Sequence, residues 1–185
     1  MAVYSFSEML TYSRGMREQT DALTIQGMID GCAQVVKTGL AEDRAGVDYV
    51  ATLRNGATIL IDAKTRTPGC SKYWRQGPEL ALEIWSVKPG GKYGTPAARQ
   101  KTGWTLCESK NVDYILFTFD PIDARDVFLY PYQLLRMTFR RMLPQWRLAY
   151  KNDVQDSHEW ESQCVFVPES VVWNALRNSM RAEAA

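Results

Sequence analysis

Histidine and closely spaced cysteines are scarce in this sequence. It contains a single histidine, His158, and four cysteines, and no two of the cysteines form a CxxC pair. Zinc and iron–sulfur sites need closely spaced thiolate or imidazole ligands, so the sequence predicts neither kind of site. Catalysis by a histidine-based triad also has little to build on. We expect the cysteines to be reduced thiols, most of them in the core.

Long apolar runs and an excess of charge of one sign are also missing. No stretch approaches the roughly 18 apolar residues of a membrane span, and the first residues lack a basic segment followed by an apolar run. These absences predict a cytoplasmic protein with no membrane partner. The 22 Lys and Arg and 21 Asp and Glu give a formal charge of +1, so a nucleic-acid partner would have to be bound by a local basic patch.

The sequence has no repeated βαβ pattern and no glycine-rich phosphate loop, which argues against a doubly wound nucleotide-binding fold. Its 185 residues, of which 45% are hydrophobic, are enough for one core, so we predict a single domain over residues 1–185. The order of elements favours an α/β fold in which helices flank a mixed central sheet.

The clearest local pattern is a hairpin. VDYVATL and ATILIDAKTR read as two strands joined by a tight turn at Asn55-Gly56. The patterns elsewhere predict one or two helices in 5–36, strands in 80–87, 112–119 and 127–130, and helices over 97–110, 131–144 and 169–182. Residues 151–162 read as polar and turn-like, and CVFV before Pro168 reads as an edge strand.

The hairpin carries the residues that suggest chemistry. Asp62 and Lys64 are two apart on one strand and therefore point to the same face, and Asp48 lies opposite them across the turn. Two carboxylates at one end of a sheet form a hard-oxygen site suited to Mg²⁺ or Mn²⁺. In phosphodiester hydrolysis such an ion polarises the phosphate and activates a water, while Lys64 acts as the base or stabilises the transition state.

The segment GVDYVATLRNGATILIDAKTR resembles the motif of the PD-(D/E)XK nuclease superfamily, with Val47-Asp48 in place of Pro-Asp and Asp62-Ala63-Lys64 as the (D/E)XK element. The resemblance extends over residues from about 12 to 143. It implies a restriction-endonuclease-like fold with a helix before the motif strands and a helix and a buried strand after them. It also implies a metal-dependent deoxyribonuclease.

Further site residues follow from this resemblance alone. Many members carry an acid on the first helix, where Glu18 is the first candidate and Asp21 the second. The second helix often brings a polar residue to the site, which implies a role for Gln100 or Lys101. Phage and prophage proteins with a similar DxK strand also have a later acidic strand and a Gly-Trp helix, where Trp104 stands in this sequence. Glu83 stands at the acidic position and becomes an additional candidate metal ligand.

Basic residues are unevenly distributed. Residues 64–110 hold nine Lys or Arg against three Glu, and residues 136–151 hold five with no acid. In the first segment Lys72 and Arg75 flank Tyr73 and Trp74, a composition suited to phosphate contact and base stacking. In the second, Arg140 and Arg141 lie on the polar face of a predicted helix. We therefore expect DNA as the partner, bound at these basic residues.

Two hypotheses follow from these patterns. The first is an Mg²⁺-dependent nuclease acting on DNA through Asp48, Asp62 and Lys64. The alternative is a non-catalytic module that retains the nuclease fold and binds nucleic acid or protein, for example as a phage-type inhibitor. The patterns do not decide whether the nucleic acid is DNA or RNA, or whether the enzyme is an endonuclease or an exonuclease. They also leave open whether the protein is a monomer or a homodimer.

Overall fold

The computed structural model describes residues 18–39, 46–66, 72, 74–75, 77–119, 127–156 and 160–183. This part of the chain is mixed α/β, as predicted, and its strands form two sheets instead of one central sheet. In chain order the elements are α1 (Glu18–Met28), β1 (Cys32–Lys37), β2 (Tyr49–Leu53), β3 (Thr58–Thr65), β4 (Glu79–Val87), the 3-10 turn Ala97–Arg99, β5 (Lys101–Thr102), β6 (Tyr114–Thr118), β7 (Val127–Pro131), α2 (Tyr132–Ala149), β8 (Lys151–Asp156), β9 (Glu161–Pro168) and α3 (Glu169–Glu183).

The chain divides into two compact units. The first comprises residues up to Thr65 together with Lys110–Thr118 and Val127–Tyr132, and the second comprises the rest. The first unit holds a five-stranded sheet in the order β1-β2-β3-β6-β7. Its neighbouring strands are antiparallel except β3 and β6, which run parallel. The prediction of one domain over residues 1–185 stays a prediction.

The core of the first unit lies between α1 and its sheet. Ile25 of α1 packs in one buried cluster with Tyr49, Ala51, Ile61 and Leu116. Each of these side chains leaves water on folding, and a fully buried aliphatic or aromatic side chain contributes about 1.5–3 kcal/mol. Strand β6 is buried along most of its length, which confirms the strand predicted from VDYILFTF.

The predicted hairpin is confirmed, with one difference in its turn. Strands β2 and β3 pair in a register that includes Tyr49 with Ile61 and Thr52 with Thr58. Leu53 N–H donates to the carbonyl of Ala57 at 2.8 Å, so the loop has three residues, and Gly56 at φ 84° occupies its left-handed position. Extending the register one residue beyond Tyr49 places Asp48 opposite Asp62.

The second unit contains an antiparallel sheet in the order β5-β4-β9-β8. One face of it is apolar, because the paired residues Leu80 with Val167 and Leu82 with Val165 are all fully buried. Helices α2 and α3 carry buried apolar residues as well: Leu135, Phe139, Trp146, Val172 and Leu176. The hydroxyls of Thr138 and Ser179 lie 2.9 Å apart and join the two helices. The terminal helix was predicted correctly.

Two predicted helical segments are wrong. The stretch 32–36 is strand β1, because Gly31 at φ 73° ends the helical path and β-branched Val35 and Val36 suit a strand. Residues 97–110 form the 3-10 turn, the short strand β5 and further turns. There the backbone makes turn hydrogen bonds and also bonds to β4, since Gly103 N–H donates to Ile84 O at 2.9 Å.

Three other boundaries differ from the prediction. Helix α2 begins at Tyr132 and continues past Pro144 to Ala149, because buried Trp146 packs on Phe139 with ring centroids 6.0 Å apart. Residues 151–156 form β8, a polar edge strand whose backbone pairs with β9. The CVFV segment is not at the edge, because β9 lies between β4 and β8.

Candidate functional site

Asp48 is positioned by backbone bonds on both sides. Its N–H donates to the carbonyl of Ile61 in β3 at 2.9 Å, and its carbonyl accepts the N–H of Thr38 at 2.9 Å. Its carboxylate atom Oδ2 accepts the N–H of Ala63 at 2.6 Å. The side chain is therefore held against β3 and is only partly exposed.

Asp62 lies in the middle of the first sheet, on β3 between β2 and β6. It is 1% exposed, although its neighbours Ile61 and Ile115 are the apolar residues expected there. The side chains of Asp62 and Asp48 lie close enough for each to shift the pKa of the other. This is the convergence that the hairpin register predicts, and both acids lie on the same face of the sheet.

Lys64 also reaches this pair. Its Nζ donates to Oδ1 of Asp62 at 2.7 Å, and its side chain is 30% exposed. The ammonium group therefore contacts the buried carboxylate while part of the side chain remains accessible to water. Asp48, Asp62 and Lys64, which were predicted as one site, lie together in the structure.

Lys110 is a member of the site that the sequence patterns did not indicate. Its Nζ lies 2.9 Å from Oδ2 of Asp62 and donates to the carbonyl of Gly46 at 3.1 Å. Gly46 has φ 83°, and a Cβ at this position would collide with the Lys110 ammonium. Lys110 is 48 positions from Asp62, and the parallel pairing of β3 with β6 brings its segment close. No local spacing could have revealed it.

The pKa values of the two carboxyl groups are shifted in opposite directions. Burial, together with the hydrogen-bond interaction and the negative charge of Asp62, raises the pKa of Asp48 from 3.8 to about 7, although the Ala63 N–H and the charge of Lys64 lower it. Burial by itself would also raise the pKa of Asp62, but the charges of Lys64 and Lys110 outweigh it and hold that pKa below its ordinary value. At neutral pH Asp62 is thus ionised, while Asp48 carries a proton part of the time.

The pair has the donor chemistry of a site for Mg²⁺ or Mn²⁺. Both ions bind carboxylate oxygens, often only one or two from the protein, and take their remaining ligands from water and phosphate. Oδ2 of Asp62 is buried and lies within ion-pair distance of Lys110, yet it accepts no hydrogen bond of good geometry. Within the described ranges, no group of three or more His, Cys, Asp or Glu side chains is arranged to hold a metal.

Two further acids, Glu18 and Glu83, were predicted as residues of the site. Glu18 is the first residue of α1, and its side chain, like that of Asp21, falls outside the described part of the chain. Glu83 belongs to the second unit, where its Oε2 accepts the hydroxyl of Ser86 at 2.6 Å and the N–H of Trp104 at 3.0 Å. These neutral donors make Glu83 a cap for the turn that begins at Gly103.

The predicted nucleic-acid-binding residues all lie in the second unit. Lys72, Arg75 and Lys101 are exposed, and Gln100 is partly exposed with its N–H bonded to Ala97 O at 3.1 Å. On α2, Arg140 pairs with Glu108 at 3.0 Å where both side chains are largely in water. Arg141 instead donates to the hydroxyl of Ser179 at 2.7 Å and so helps join α2 to α3.

The sequence matches no known protein family and no curated protein, and the fold matches no solved structure. Among the helices that the structure describes, none has the length and apolar character needed to cross a membrane.

Proposed function

We propose that the chain is a metal-dependent phosphodiesterase acting on DNA, with its centre at Asp48, Asp62, Lys64 and Lys110. The observation that carries the proposal is the pair of interacting carboxyl groups on one sheet face, with two ammonium groups in contact with the buried member. The order of α1, three antiparallel strands and a parallel fourth strand is compatible with the nuclease resemblance of the motif, although residues 97–110 do not form the helix that the resemblance implies before the buried strand.

The roles of the side chains follow from their contacts. Asp48 and Asp62 would hold the ion, which when bound polarises a phosphate oxygen and lowers the pKa of a coordinated water. Lys64 is the partly exposed cation, so it can turn from Asp62 toward the substrate and stabilise charge that develops on the phosphate. Lys110 is 9% exposed and stays with Asp62, where it limits the negative charge of the site before the ion binds.

One observation favours a second candidate function. Both lysines already neutralise Asp62, and this cluster could stabilise the fold with no metal. A non-catalytic module that binds nucleic acid or protein would need no more than this. The two candidates differ in whether Mg²⁺ or Mn²⁺ changes the protein.

The deciding experiment is cleavage of linear, circular, single-stranded and branched DNA in EDTA, Mg²⁺ or Mn²⁺. We expect metal-dependent cleavage, and single-turnover rates that fall by roughly 10²–10³-fold in Lys64→Ala, as for the loss of one transition-state donor. DNA affinity should change little in that variant. Asp62→Asn keeps the shape and removes the charge, so it should lose activity together with metal affinity.

Glu83→Gln is the matched control, because it alters a carboxylate that neutral donors hold in the other unit. It should cleave at the parental rate. Thermal melts establish that each variant is folded. Parental cleavage rates in folded Lys64→Ala and Asp62→Asn would assign the activity to a contaminant, and absence of both cleavage and metal binding in the parent would favour the binding module.

A further inference from the structure

The second unit contains a cavity of about 330 Å³ that the hydrolytic site does not use. Its lining residues are Arg75, Glu79, Ala149, Tyr150, Lys151, Phe166 and Pro168. It lies at one end of the sheet, where Glu79 pairs with Pro168 and Lys151 pairs with Phe166. The volume is near the lower end of the roughly 300–1,000 Å³ range of small-molecule sites, which suits one small ligand.

Glu79 is the unusual residue of this cavity. It is 8% exposed, yet its carboxylate accepts only one hydrogen bond from the described residues, a long one of 3.4 Å from the N–H of Arg75. A buried carboxylate ordinarily has several donors, because removal from water is costly unless hydrogen bonds replace the lost ones. The remaining acceptor positions of Glu79 are therefore suited to a ligand that presents N–H groups.

Two cationic residues share the cavity lining with this carboxylate. Lys151 is fixed by Asp153, whose Oδ2 is 2.9 Å away, and by the ring of Phe166, whose centroid is 5.3 Å from its Nζ. Arg75 is exposed, and its guanidinium makes no hydrogen bond or ion pair with the described residues. An anionic group could accept hydrogen bonds from Arg75 while a donor group on the same ligand faces Glu79.

Apolar side chains complete the lining. Ala149, Tyr150 and Pro168 provide carbon surface, and the half-buried Tyr150 ring is a face on which a flat ring can stack. The cavity therefore combines an acceptor, an apolar wall with an aromatic ring, and cations. A nucleotide has the complementary groups: an amine on its base, a flat ring and a phosphate.

We propose that this cavity binds a single nucleotide whose base carries an exocyclic amine. Glu79 accepts the amine N–H, Tyr150 stacks on the base, and Arg75 with Lys151 binds the phosphate. Uracil is disfavoured, because its ring N–H lies between two carbonyl oxygens that the carboxylate repels. The same chemistry fits a free nucleotide and the end nucleotide of a strand.

Binding is measured by calorimetry on the full chain in EDTA, so the result does not depend on the proposed hydrolytic activity. The probes are AMP, CMP, GMP, UMP, inorganic phosphate, and a short single strand with and without a 5′-phosphate. We expect the three amine-bearing nucleotides to bind at least tenfold more tightly than UMP or phosphate. Tighter binding of the phosphorylated strand than of free nucleotides identifies a strand end as the source, and the reverse identifies free nucleotide.

Variants test the assignment of groups. Glu79→Gln should weaken AMP, CMP and GMP binding by roughly tenfold or more, since hydrogen bonds to charged groups are the stronger class. Arg75→Ala, at an exposed position, should weaken the binding of all nucleotides alike. Glu108→Gln is the matched control, because Glu108 is exposed and does not line the cavity. Equal affinities for all probes, no binding at millimolar concentration, or equal effects of Glu79→Gln and Glu108→Gln would each overturn the proposal.

Discussion

Asp62 in the first unit and Glu83 in the second are both strand carboxylates that the sequence suggested as metal ligands, and their surroundings differ. Asp62 is 1% exposed and contacts two ammonium groups, those of Lys64 and Lys110. Glu83 accepts bonds from neutral donors of a turn, the Ser86 hydroxyl and the Trp104 N–H. A metal ion can replace an ammonium group beside Asp62, because both are cations. The neutral donors around Glu83 instead belong to the turn itself and hold the carboxylate in place. The partners of a carboxylate therefore separate a candidate binding group from a structural one.

Removal of Lys110 should have the largest effect on stability. In Lys110→Met the buried Asp62 keeps its ion pair with Lys64 and loses the one with Lys110. Loss of one partner of a buried charge pair lowers the free energy of unfolding by about 3–5 kcal/mol. Urea unfolding in EDTA measures the loss. If the acids bind Mn²⁺, the ion should restore part of the stability, because it replaces the missing positive charge. If Mn²⁺ stabilises Lys110→Met no more than it stabilises Glu83→Gln, the result would count against a metal site.

Among substitutions near Glu83, Gly103→Ala should cause the largest loss of stability. A Cβ at Gly103 would lie 2.2 Å from the backbone carbonyl oxygen of Glu83, so β4 or the turn must move. We expect a loss of roughly 1–3 kcal/mol, comparable to other overpacking substitutions, and no response to Mn²⁺. Gly27→Ala is the control, because a Cβ there meets nothing within 4 Å. A Gly103→Ala protein as stable as the parent would contradict the close approach.

The metal-free protein should lose stability as pH rises from about 4 to 7. Asp48 has a folded pKa of about 7 against an ordinary value of 3.8, so its contribution is complete below the ordinary value and is lost as pH rises through the folded one. The pKa of Asp62 is lowered, so its contribution is lost only in more acidic solution. With allowance for partial solvation, the Asp48 contribution is on the order of 2 kcal/mol.

Asp48→Asn should remove most of this pH dependence and become the more stable protein at pH 8. Urea unfolding in EDTA at pH 4.5, 6 and 8 makes the comparison. Glu83→Gln serves as the control and should retain the parental slope between these pH values. A slope that is equal in parent and Asp48→Asn would show that the Asp48 carboxyl is not the group responsible.

The smallest effects are expected from two neighbouring arginines of α2. Arg140→Ala should change stability by less than about 0.5 kcal/mol, because its pair with Glu108 is largely in water. Arg141→Ala removes a bond to Ser179 and should cost about 1 kcal/mol. If both contact DNA phosphates, the double variant should reduce the salt dependence of DNA binding. Equal melting temperatures for the two single variants would contradict the difference in their roles.

The sequence was sufficient where the information is local. The alternation of VDYVATL and ATILIDAKTR and the Asn55-Gly56 pair predicted the hairpin, and the two-residue spacing of Asp62 and Lys64 placed both side chains on one face. The hairpin register then brought Asp48 to them. Period and turn chemistry determine these features within about twenty residues, so tertiary contacts were not needed to find them.

Tertiary structure decided the features that depend on distant segments. Lys110 reaches Asp62 only because β6 adds in parallel to β3, and the residues near Gly103 form turns because their backbone bonds to β4. Trp146 carries α2 past Pro144 because its burial outweighs the lost backbone bond. The division into two sheets has the same origin. Each outcome depends on which surface a segment finds to pack against, and neither local propensity nor spacing encodes that partner.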